Sequence, residues 1–591
     1  LDYTKRSNML RVRFVATTLT LATLSASAFA LKPDQRVENF RLPDQTGASH
    51  QLYYYSDMDA VVIMAQDASC KLMDQAAVQL AALQQAHGDG NIAFFMLNSS
   101  LTAEHVRHAP DQTAIPVLID SSQLIGESLA LSSAGEVLVV NPKTWQLAYR
   151  GGAEGAANAL QAIVAGEAVE ASVTEVEGCA IAYPEVQAKA SHADISYSET
   201  IAPMLLENCV TCHREGGIGP WSMTNYDMIR GFAPMIREVV RTHRMPPWHA
   251  DSKHGSFSND RSLTDEETRT LIHWIEAGAP RGEGRDLLAE YKYAGTEWVL
   301  GEPDLILEIP PTDVPATGVV DYQYKHVSNP LDHDVWVMAS EILPGSRSVL
   351  HHVITRFGEL ETEGPRAGHL KRRGGGGLAG YVPGAVAKAY PEGTGTLLPA
   401  GATIEFQMHY TPTGQAQVDQ SRIGIYLLDE PPQHQIRSIV LINPFIRIPP
   451  NAKAHKEFAQ QVVKQDALVY SLLPHAHFRG KASEFRAVYP NGSEEVLLSV
   501  PNYDFNWQTT YTLTEPKLLP EGTKIIHTTW WDNSAQNPAN PDPSREVPWG
   551  EQSWDEMLFG AITLRYLDET DVDLKAELAA RFAQTTASGA D

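Results

Sequence analysis

Apolar and polar positions change their spacing twice along the chain, and each spacing predicts a different kind of element. Between residues 34 and 170, short apolar runs alternate with longer amphipathic stretches. Such alternation is typical of an α/β fold in which helices pack on a parallel or mixed sheet. The runs at 61–64, 92–97, 115–119 and 136–140 are expected to be strands, and the stretch at 76–85 a helix.

Helix signals dominate residues 196–285, so this region is expected to be all-α. Thr264 stands three residues before Glu267, which is the spacing of a capping box at the start of a helix. An amphipathic stretch follows, and Gly278 with Pro280 predicts its end.

From about residue 295 the period changes to two, with turn clusters such as 344–345, 399–401 and 490–492. This pattern predicts two successive all-β sandwich domains of a jelly-roll-like kind. The expected division is 1–30 signal peptide and upstream extension, 31–170 α/β domain, 171–195 linker, 196–285 helical domain, 296–430 and 431–575 β domains, and 576–591 a disordered tail.

The net charge limits the binding partners that this protein can have, and its N-terminal residues indicate its cellular compartment. The chain has 591 residues and a formal net charge of -26, which argues against binding to nucleic acid or to an anionic membrane. Arg11 and Arg13 precede an apolar run at 14–24, and Ala28-Phe29-Ala30 fits a cleavage site. We expect a periplasmic or secreted protein with no membrane span in the mature chain.

The string Cys209-Val210-Thr211-Cys212-His213 is a CxxCH motif. Two thiols at this spacing can bond to haem vinyl groups, and the adjacent histidine then reaches the iron; a free dithiol or a zinc site is the alternative. The surrounding helices resemble a class I-like cytochrome c domain, which implies one covalently attached c-type haem and a second axial ligand. Met245 is our choice for that ligand. The competing side chains are Met223, Met228, Met235, His243 and His249.

Two further cysteines, Cys70 and Cys179, lie outside that motif, and an oxidising compartment would permit a disulfide between them. The order of elements at 31–170 resembles a thioredoxin-like redoxin domain, and Cys70 stands at the turn where such domains carry reactive cysteines. No second cysteine stands beside it, so no local CxxC dithiol can form. A degenerate domain with a structural or docking role is the favoured interpretation, and a thiol peroxidase built on Cys70 is the alternative.

Histidines in the C-terminal half form candidate metal ligands. On one strand, His475 and His477 would share a face and could chelate one ion. His351 and His352 are neighbours, so they can join one site with His409 only if their strand is bulged or twisted. Imidazole suits copper in both oxidation states, and the thioether of Met557 would favour Cu(I). Taken singly, a His-Xaa-His pair is often a surface feature and a methionine is usually in a core.

Four strings occur in the order seen in one enzyme family. They are Leu350-His351-His352-Val353-Ile354, Gln407-Met408-His409-Tyr410, Pro474-His475-Ala476-His477-Phe478-Arg479-Gly480 and Asp555-Glu556-Met557. Over residues 300–575 the chain resembles type II copper, ascorbate-dependent monooxygenases, the core shared by peptidylglycine α-hydroxylating and dopamine β-monooxygenases. The resemblance implies two copper ions. His351, His352 and His409 would hold the electron-supplying copper, and His475, His477 and Met557 the copper that binds O2 and substrate.

The sequence also departs from that family. Its animal members carry many disulfides, whereas residues 214–591 contain no cysteine, and no substrate-anchoring residue of the family is matched. We expect a copper monooxygenase that hydroxylates a C–H bond of an organic substrate with O2. An external donor, an ascorbate-like reductant or a redox protein, would supply electrons through the haem domain. The alternative is a haem and copper protein for electron transfer or copper handling. His527 is expected to be a core histidine, with a role near the second copper as the alternative.

Overall fold

The structure is a computed structural model. It describes residues 31–87, 91–99, 115–184, 189–292, 297–361, 363, 370–372, 378–382 and 387–587. The export signal expected at 1–30 lies outside the described residues. Strands predominate, and the helices are concentrated in the first half of the chain.

The first unit, called here the α/β unit, comprises the described residues up to 184. Its strands are β1 (Arg41–Pro43), β2 (Ser49–Gln51), β3 (Ala60–Gln66), β4 (Ile92–Asn98), β5 (Val117–Ile119), β6 (Val137–Asn141) and β7 (Gln146–Gly151), and its helices are α1 (Met73–Ala86), α2 (Leu124–Ser128) and α3 (Ala153–Ala165). The main sheet has the order β5-β4-β3-β6-β7 and is mixed, since β6 runs antiparallel to β3. The mixed sheet and the strands and helix predicted for this region are therefore confirmed.

All seven residues of β3 are buried, because apolar side chains cover both faces of the sheet. Cys70, which precedes α1, is disulfide-bonded to Cys179. The bond joins residues 109 positions apart, so the partner that the local sequence lacks is supplied by the segment that follows α3.

The helical unit follows at 189–292. It contains a π-helical turn (Tyr197–Ile201), α4 (Ala202–Asn208), α5 (Tyr226–Arg241), α6 (Asp265–Glu276) and α7 (Leu287–Glu290). The predicted capping box is present, since Thr264 and Glu267 bond each other's backbone N–H groups at the start of α6. No strand occurs among the described residues of this unit, although the segment after Met245 leaves it and packs elsewhere, as described below.

The first β unit runs from 297 to 435. Its strands are β8 (Leu305–Glu308), β9 (Thr312–Val314), β10 (Gln323–Ser328), β11 (Val335–Leu343), β12 (Leu350–Leu360), β13 (Leu370–Arg372), β14 (Thr394–Leu398), β15 (Thr403–Tyr410), β16 (Gln417–Asp419), β17 (Arg422–Leu427) and β18 (His434–Gln435). Two sheets, β10-β15-β12-β13 and β18-β14-β11-β17-β8, share one apolar core. Because β18 pairs with β14, this unit extends beyond the expected boundary at 430.

The second β unit begins at 437. Its strands are β19 (Arg437–Ile442), β20 (Arg447–Ile448), β21 (His455–Val462), β22 (Ala467–His475), β23 (Gly480–Val488), β24 (Glu494–Val500), β25 (Tyr511–Leu519), β26 (Lys524–Trp531), β27 (Val547–Pro548) and β28 (Phe559–Tyr566). The sheets β19-β28-β22-β25 and β21-β26-β23-β24 enclose a second core. The chain then forms α8 (Val572–Ala587), so the disordered tail expected from 576 is wrong over most of its length.

The units contact one another through both ion pairs and apolar packing. His273 on α6 bonds Glu127 on α2 at 2.8 Å, and Arg241 bonds Glu38 at 2.8 Å. After Met245 the chain crosses to the second β unit, where Trp248 packs edge-on to Tyr511 with ring centroids 4.9 Å apart. Among the described residues, no helix combines the length and apolar character required to span a bilayer.

Candidate metal centre

Three histidines of the first β unit converge within one sheet. β12 and β15 are antiparallel neighbours, and His352 lies directly opposite His409. The register shifts between Leu350 and His352, which places an irregularity at His351. The shift supplies the bulge that joint ligation by adjacent histidines requires, and ligation itself stays a prediction.

The nitrogen atoms of these rings face one another. His352 Nδ1 lies 3.3 Å from His351 Nδ1 and 3.3 Å from His409 Nδ1. Two imidazole nitrogens bound to one tetrahedral ion at about 2.0–2.1 Å lie roughly 3.3 Å apart. One ligand atom from each of the three residues lies within 4.8 Å of the other two. The spacing therefore fits a shared metal ion with three nitrogen ligands.

Burial keeps these imidazoles neutral, which is the form that binds metals. It lowers the pKa of His409 to about 3 and that of His351 to about 4. The pKa of His352 is also well below its usual value, first because of burial and then because of the neighbouring imidazoles. At neutral pH the three rings hold lone pairs that an ion can use.

β15 itself differs from the half-buried strand that its alternation predicts. Seven of its eight residues are buried, including Glu405, Gln407 and His409 on the polar side. The second β unit covers that side, where Tyr324 links Gln407 to Glu551 with hydrogen bonds of 2.7 and 2.6 Å. Alternation along one strand cannot reveal cover supplied by another unit.

His475 and His477 form a second group, with ring centroids 5.1 Å apart. His475 is the last residue of β22 and its Nδ1 lies 2.8 Å from Gln508 Oε1, while His477 follows the strand and its Nδ1 lies 3.3 Å from the Asp555 carbonyl oxygen. Both carbonyl-type oxygens accept, so each Nδ1 carries the proton and each Nε2 keeps a lone pair. His477 Nε2 is buried and has no hydrogen-bond partner among the described residues. A neutral imidazole with this lone pair is the form in which histidine binds metal ions.

Met557 is the predicted third ligand of this group. It lies in sequence between Asp555 and Phe559, and each of these two residues contacts or pairs with one of the histidines. The preceding carbonyl of Asp555 faces His477, and Phe559 pairs with His475 across β28 and β22. Met557 is half-buried. The backbone therefore places Met557 beside both histidines, and ligation by its sulfur stays a prediction.

A buried carboxylate connects the two segments of the second group. Glu556 accepts from the backbone N–H of His477 at 2.8 Å, from that of Arg479 at 2.6 Å and from Trp531 Nε1 at 2.9 Å. Burial raises the pKa of Glu556 to about 7 despite these donors. Because Glu556 immediately precedes Met557, it holds the methionine segment against the histidine segment.

The two groups are adjacent. The rings of His352 and His475 have centroids 6.4 Å apart. The Phe505 ring stacks on His351 at 4.8 Å and also contacts the His409 and His477 rings, at 6.1 and 5.8 Å. Ser553 Oγ, from the second β unit, lies 3.3 Å from His409 Nε2. The five imidazoles thus form one cluster built from both β units, and the Phe505 ring contacts three of them.

Four residues of this cluster were not anticipated from the sequence: Phe505, Gln508, Ser553 and Glu556. Glu556 lay inside a matched string, where an acidic residue beside a ligand could have signalled a buried partner. Phe505 and Gln508 lie in a loop without periodic pattern, so no sequence signal identifies them. His527 is fully buried, stacks on Phe485 at 4.3 Å and bonds Ser483 at 2.8 Å, as expected of a core histidine.

The CxxCH segment has features that a haem would require. Cys209 and Cys212 carry free thiols, and His213 Nδ1 lies 3.0 Å from the Trp221 carbonyl oxygen. That bond leaves His213 Nε2 available as a ligand. The residues therefore fit a covalently attached haem.

The second axial ligand of that haem stays a prediction. Met245 is half-buried and begins the segment that crosses to the second β unit. Of its competitors, Met223 lies in the core of the helical unit, whereas Met228 and Met235 are exposed on α5. His249 is buried on the crossing segment.

Comparisons with known proteins cover only part of the chain. No family model and no curated protein matches it. A hypothetical protein from Sinorhizobium meliloti is 18% identical, with a TM-score of 0.23 over 26% of this chain and 94% of its own. The thioredoxin domain of a thiol-disulfide oxidoreductase from Bacteroides vulgatus is 15% identical (TM-score 0.19; 20% of this chain, 86% of that one). A peroxidoxin from Mycobacterium tuberculosis is 16% identical (TM-score 0.20; 23% and 97%). TM-scores this low assign neither a fold nor a function.

Proposed function

We propose that this protein is a copper-dependent monooxygenase that hydroxylates a C–H bond of an organic substrate in the periplasm or outside the cell. The observation that carries the proposal is the pair of 3.3 Å separations among the Nδ1 atoms of His351, His352 and His409. These three histidines lie next to two others whose Nε2 atoms keep their lone pairs. Copper at these positions, with a c-type haem on Cys209 and Cys212, would supply the electrons and the activation of O2 that hydroxylation requires.

The chain's own residues divide the remaining tasks. The β12–β15 register orients the nitrogen trio, and Gln508 and the Asp555 carbonyl select the Nε2 face of the second pair. Glu556 holds Met557 next to that pair, and the Phe505 ring lies against histidines of both groups. A nitrogen-only group suits an electron relay, whereas a thioether favours the reduced ion that meets O2.

In this proposal an attached haem passes electrons to the three-histidine group, with an ascorbate-like reductant or a redox protein as external donor. Tyr381 lies beside that group, since its backbone exchanges two hydrogen bonds of 2.9 Å with Val353, the neighbour of His352.

Replacement of His475 or Met557 by alanine tests the proposal. Copper content, incorporation of labelled oxygen from O2 into product with candidate substrates, and the haem absorbance are measured on the full chain. We expect loss of one copper and of product formation with an unchanged haem spectrum. His333→Ala is a matched control, because His333 is an exposed histidine outside both groups and bonds Asp332 at 2.9 Å. Product formation that survives Met557→Ala and His475→Ala would contradict the assigned roles.

A second candidate function is electron transfer or copper handling without oxygenation. The position of Phe505 favours it, since that ring lies against histidines of both groups and occupies space that a substrate would need. This function predicts copper binding and haem reduction without O2-linked product. The same labelled-oxygen measurement therefore separates the two candidates.

A further inference from the structure

A large groove lies between the α/β unit and the second β unit. Its volume is about 1130 Å³. One wall comes from the segment around β2 and the turn that follows it, and the other from the starts of β23 and of the loop at 501–506. A volume of this size is at the upper end of the range for sites that bind organic molecules.

The groove ends at the histidine cluster. Phe505 is one of its lining residues, and the same ring stacks on His351 at 4.8 Å. Phe478 also lines the groove and packs edge-on against Phe505 with centroids 5.0 Å apart. A molecule in the groove would thus be separated from the imidazoles by a single aromatic ring.

Aromatic surfaces line both walls. Tyr54 comes from the α/β unit, and Phe478 and Trp530 come from the second β unit. All three are half-buried, so part of each ring stays open to a ligand. Rings of this kind favour a flat apolar body, because stacking and burial of apolar area act together.

Two cations face the same space without a carboxylate partner. Arg41 donates to the neutral amide oxygens of Asn502 and Gln51, and its Nε has no hydrogen-bond partner among the described residues. Lys481 donates to the Lys453 carbonyl at 2.9 Å and lies over the Tyr54 ring at 5.1 Å.

Burial lowers the pKa of Arg41 to about 10, the direction expected of a cation that lacks an ion pair. Asp504, Asp532 and Glu484 also line the groove, and Glu484 pairs with Arg486. Within the described part of the chain none of these carboxylates forms an ion pair with Arg41 or Lys481, although the charge of Asp504 raises the pKa of Arg41 against the effect of burial and that of Asp532 does so for Lys481. An anionic ligand would complement these two cations.

We propose that this groove binds a small organic anion with a flat aromatic body, and that the α/β unit serves as one wall of the substrate site. The binding itself follows from the groove alone, whereas its role as the substrate site rests on the proposed monooxygenase function. The α/β unit then contributes Arg41 and Tyr54 to recognition, and its disulfide-bonded Cys70 takes no part in the reaction.

Calorimetric titration of the full haem- and copper-loaded chain tests the proposal with two matched probes, 1-naphthoate and the neutral 1-naphthylmethanol. We expect one naphthoate per chain and an affinity for naphthylmethanol lower by about tenfold or more, since only the carboxylate can form charge-assisted hydrogen bonds with Arg41 and Lys481. Repeating the titration without copper shows whether the carboxylate binds the metal instead, and binding that requires copper would overturn the proposal.

Variants locate the site. Tyr54→Ala should weaken both probes, whereas Arg41→Gln and Lys481→Gln should weaken naphthoate alone. Tyr291→Ala is the control, because Tyr291 is an exposed tyrosine outside the groove. If the Arg41→Gln variant does not fold, Lys481→Gln alone still tests whether a cation in the groove binds the carboxylate.

Each remaining outcome has one meaning. Absence of saturable binding, equal affinity for the two probes, or binding unchanged in the Tyr54 and Lys481 variants would overturn the proposal. Naphthoate binding without labelled-oxygen product from any substrate would leave the groove standing and contradict the monooxygenase. Copper-dependent product formation without naphthoate binding would support the monooxygenase and contradict the groove as the binding site of an aromatic anion.

Discussion

The two histidine groups are built by different means. In the three-histidine group all ligands come from β12 and β15, and antiparallel pairing with a bulge at His351 brings His352 opposite His409. In the second group the ligands come from two segments about 80 residues apart, and the carboxylate of Glu556 joins them. The first group therefore depends on a sheet that has its own apolar core, whereas the second depends on one buried polar network. Substitutions outside the ligands should affect the second group far more.

Glu556→Ala should produce the largest difference between the groups. It leaves the N–H groups of His477, Arg479 and Trp531 buried and unpaired, which we expect to cost about 5 kcal/mol or more. The chain should lose the second copper and keep the first, as measured by metal content and by the Cu(II) spectrum. Glu551→Ala is the control, because that carboxylate is exposed and accepts a hydrogen bond from Tyr324. Retention of both ions at unchanged stability would show that the network is not what holds the second group.

Phe505→Ala should come next and should act on both groups. Removal of a buried phenylalanine costs about 3–5 kcal/mol, and this ring contacts His351, His409 and His477. Chemical denaturation followed by tryptophan fluorescence would report the loss, and the spectra of both coppers should change together. A change confined to one copper would mean that the ring belongs to that group alone.

Gln508→Leu separates orientation from stability. It removes the acceptor of His475 Nδ1 while leaving the ligand nitrogens in place. Loss of such a partner typically costs about 10–100-fold in metal affinity. Competition with a copper chelator should show that weakening at the second group only. Equal weakening at the first group would contradict the separate construction of the two.

Ser553→Ala should have the smallest effect. Ser553 Oγ lies 3.3 Å from His409 Nε2, at the far end of that ring from the converging Nδ1 atoms. We expect a stability loss of about 0.5–1.5 kcal/mol with little change in copper binding. Thermal unfolding with and without copper measures both quantities. A loss of the first copper would show that this sheet, too, needs support from the second β unit.

The parts that the sequence predicted are those with local signals. Strand periodicity placed His409 on β15, the requirement for a bulge at His351 is met, and the Thr264 capping box begins α6. Residues whose role depends on contacts far along the chain escaped prediction. Glu556 and Phe505 become meaningful only when both β units are in place, and Trp248 was assigned to a helical domain although its ring packs in the core of the second β unit.

The Cys70–Cys179 bond has a consequence for how the chain responds to proteases. It closes a loop of 109 positions around most of the α/β unit. A single backbone cut between these two cysteines leaves one covalent molecule, and its two pieces separate on a denaturing gel only after reduction. Since one wall of the groove lies in this unit, ahead of Cys70, nicked protein would keep Arg41 and Tyr54 attached to the rest of the chain.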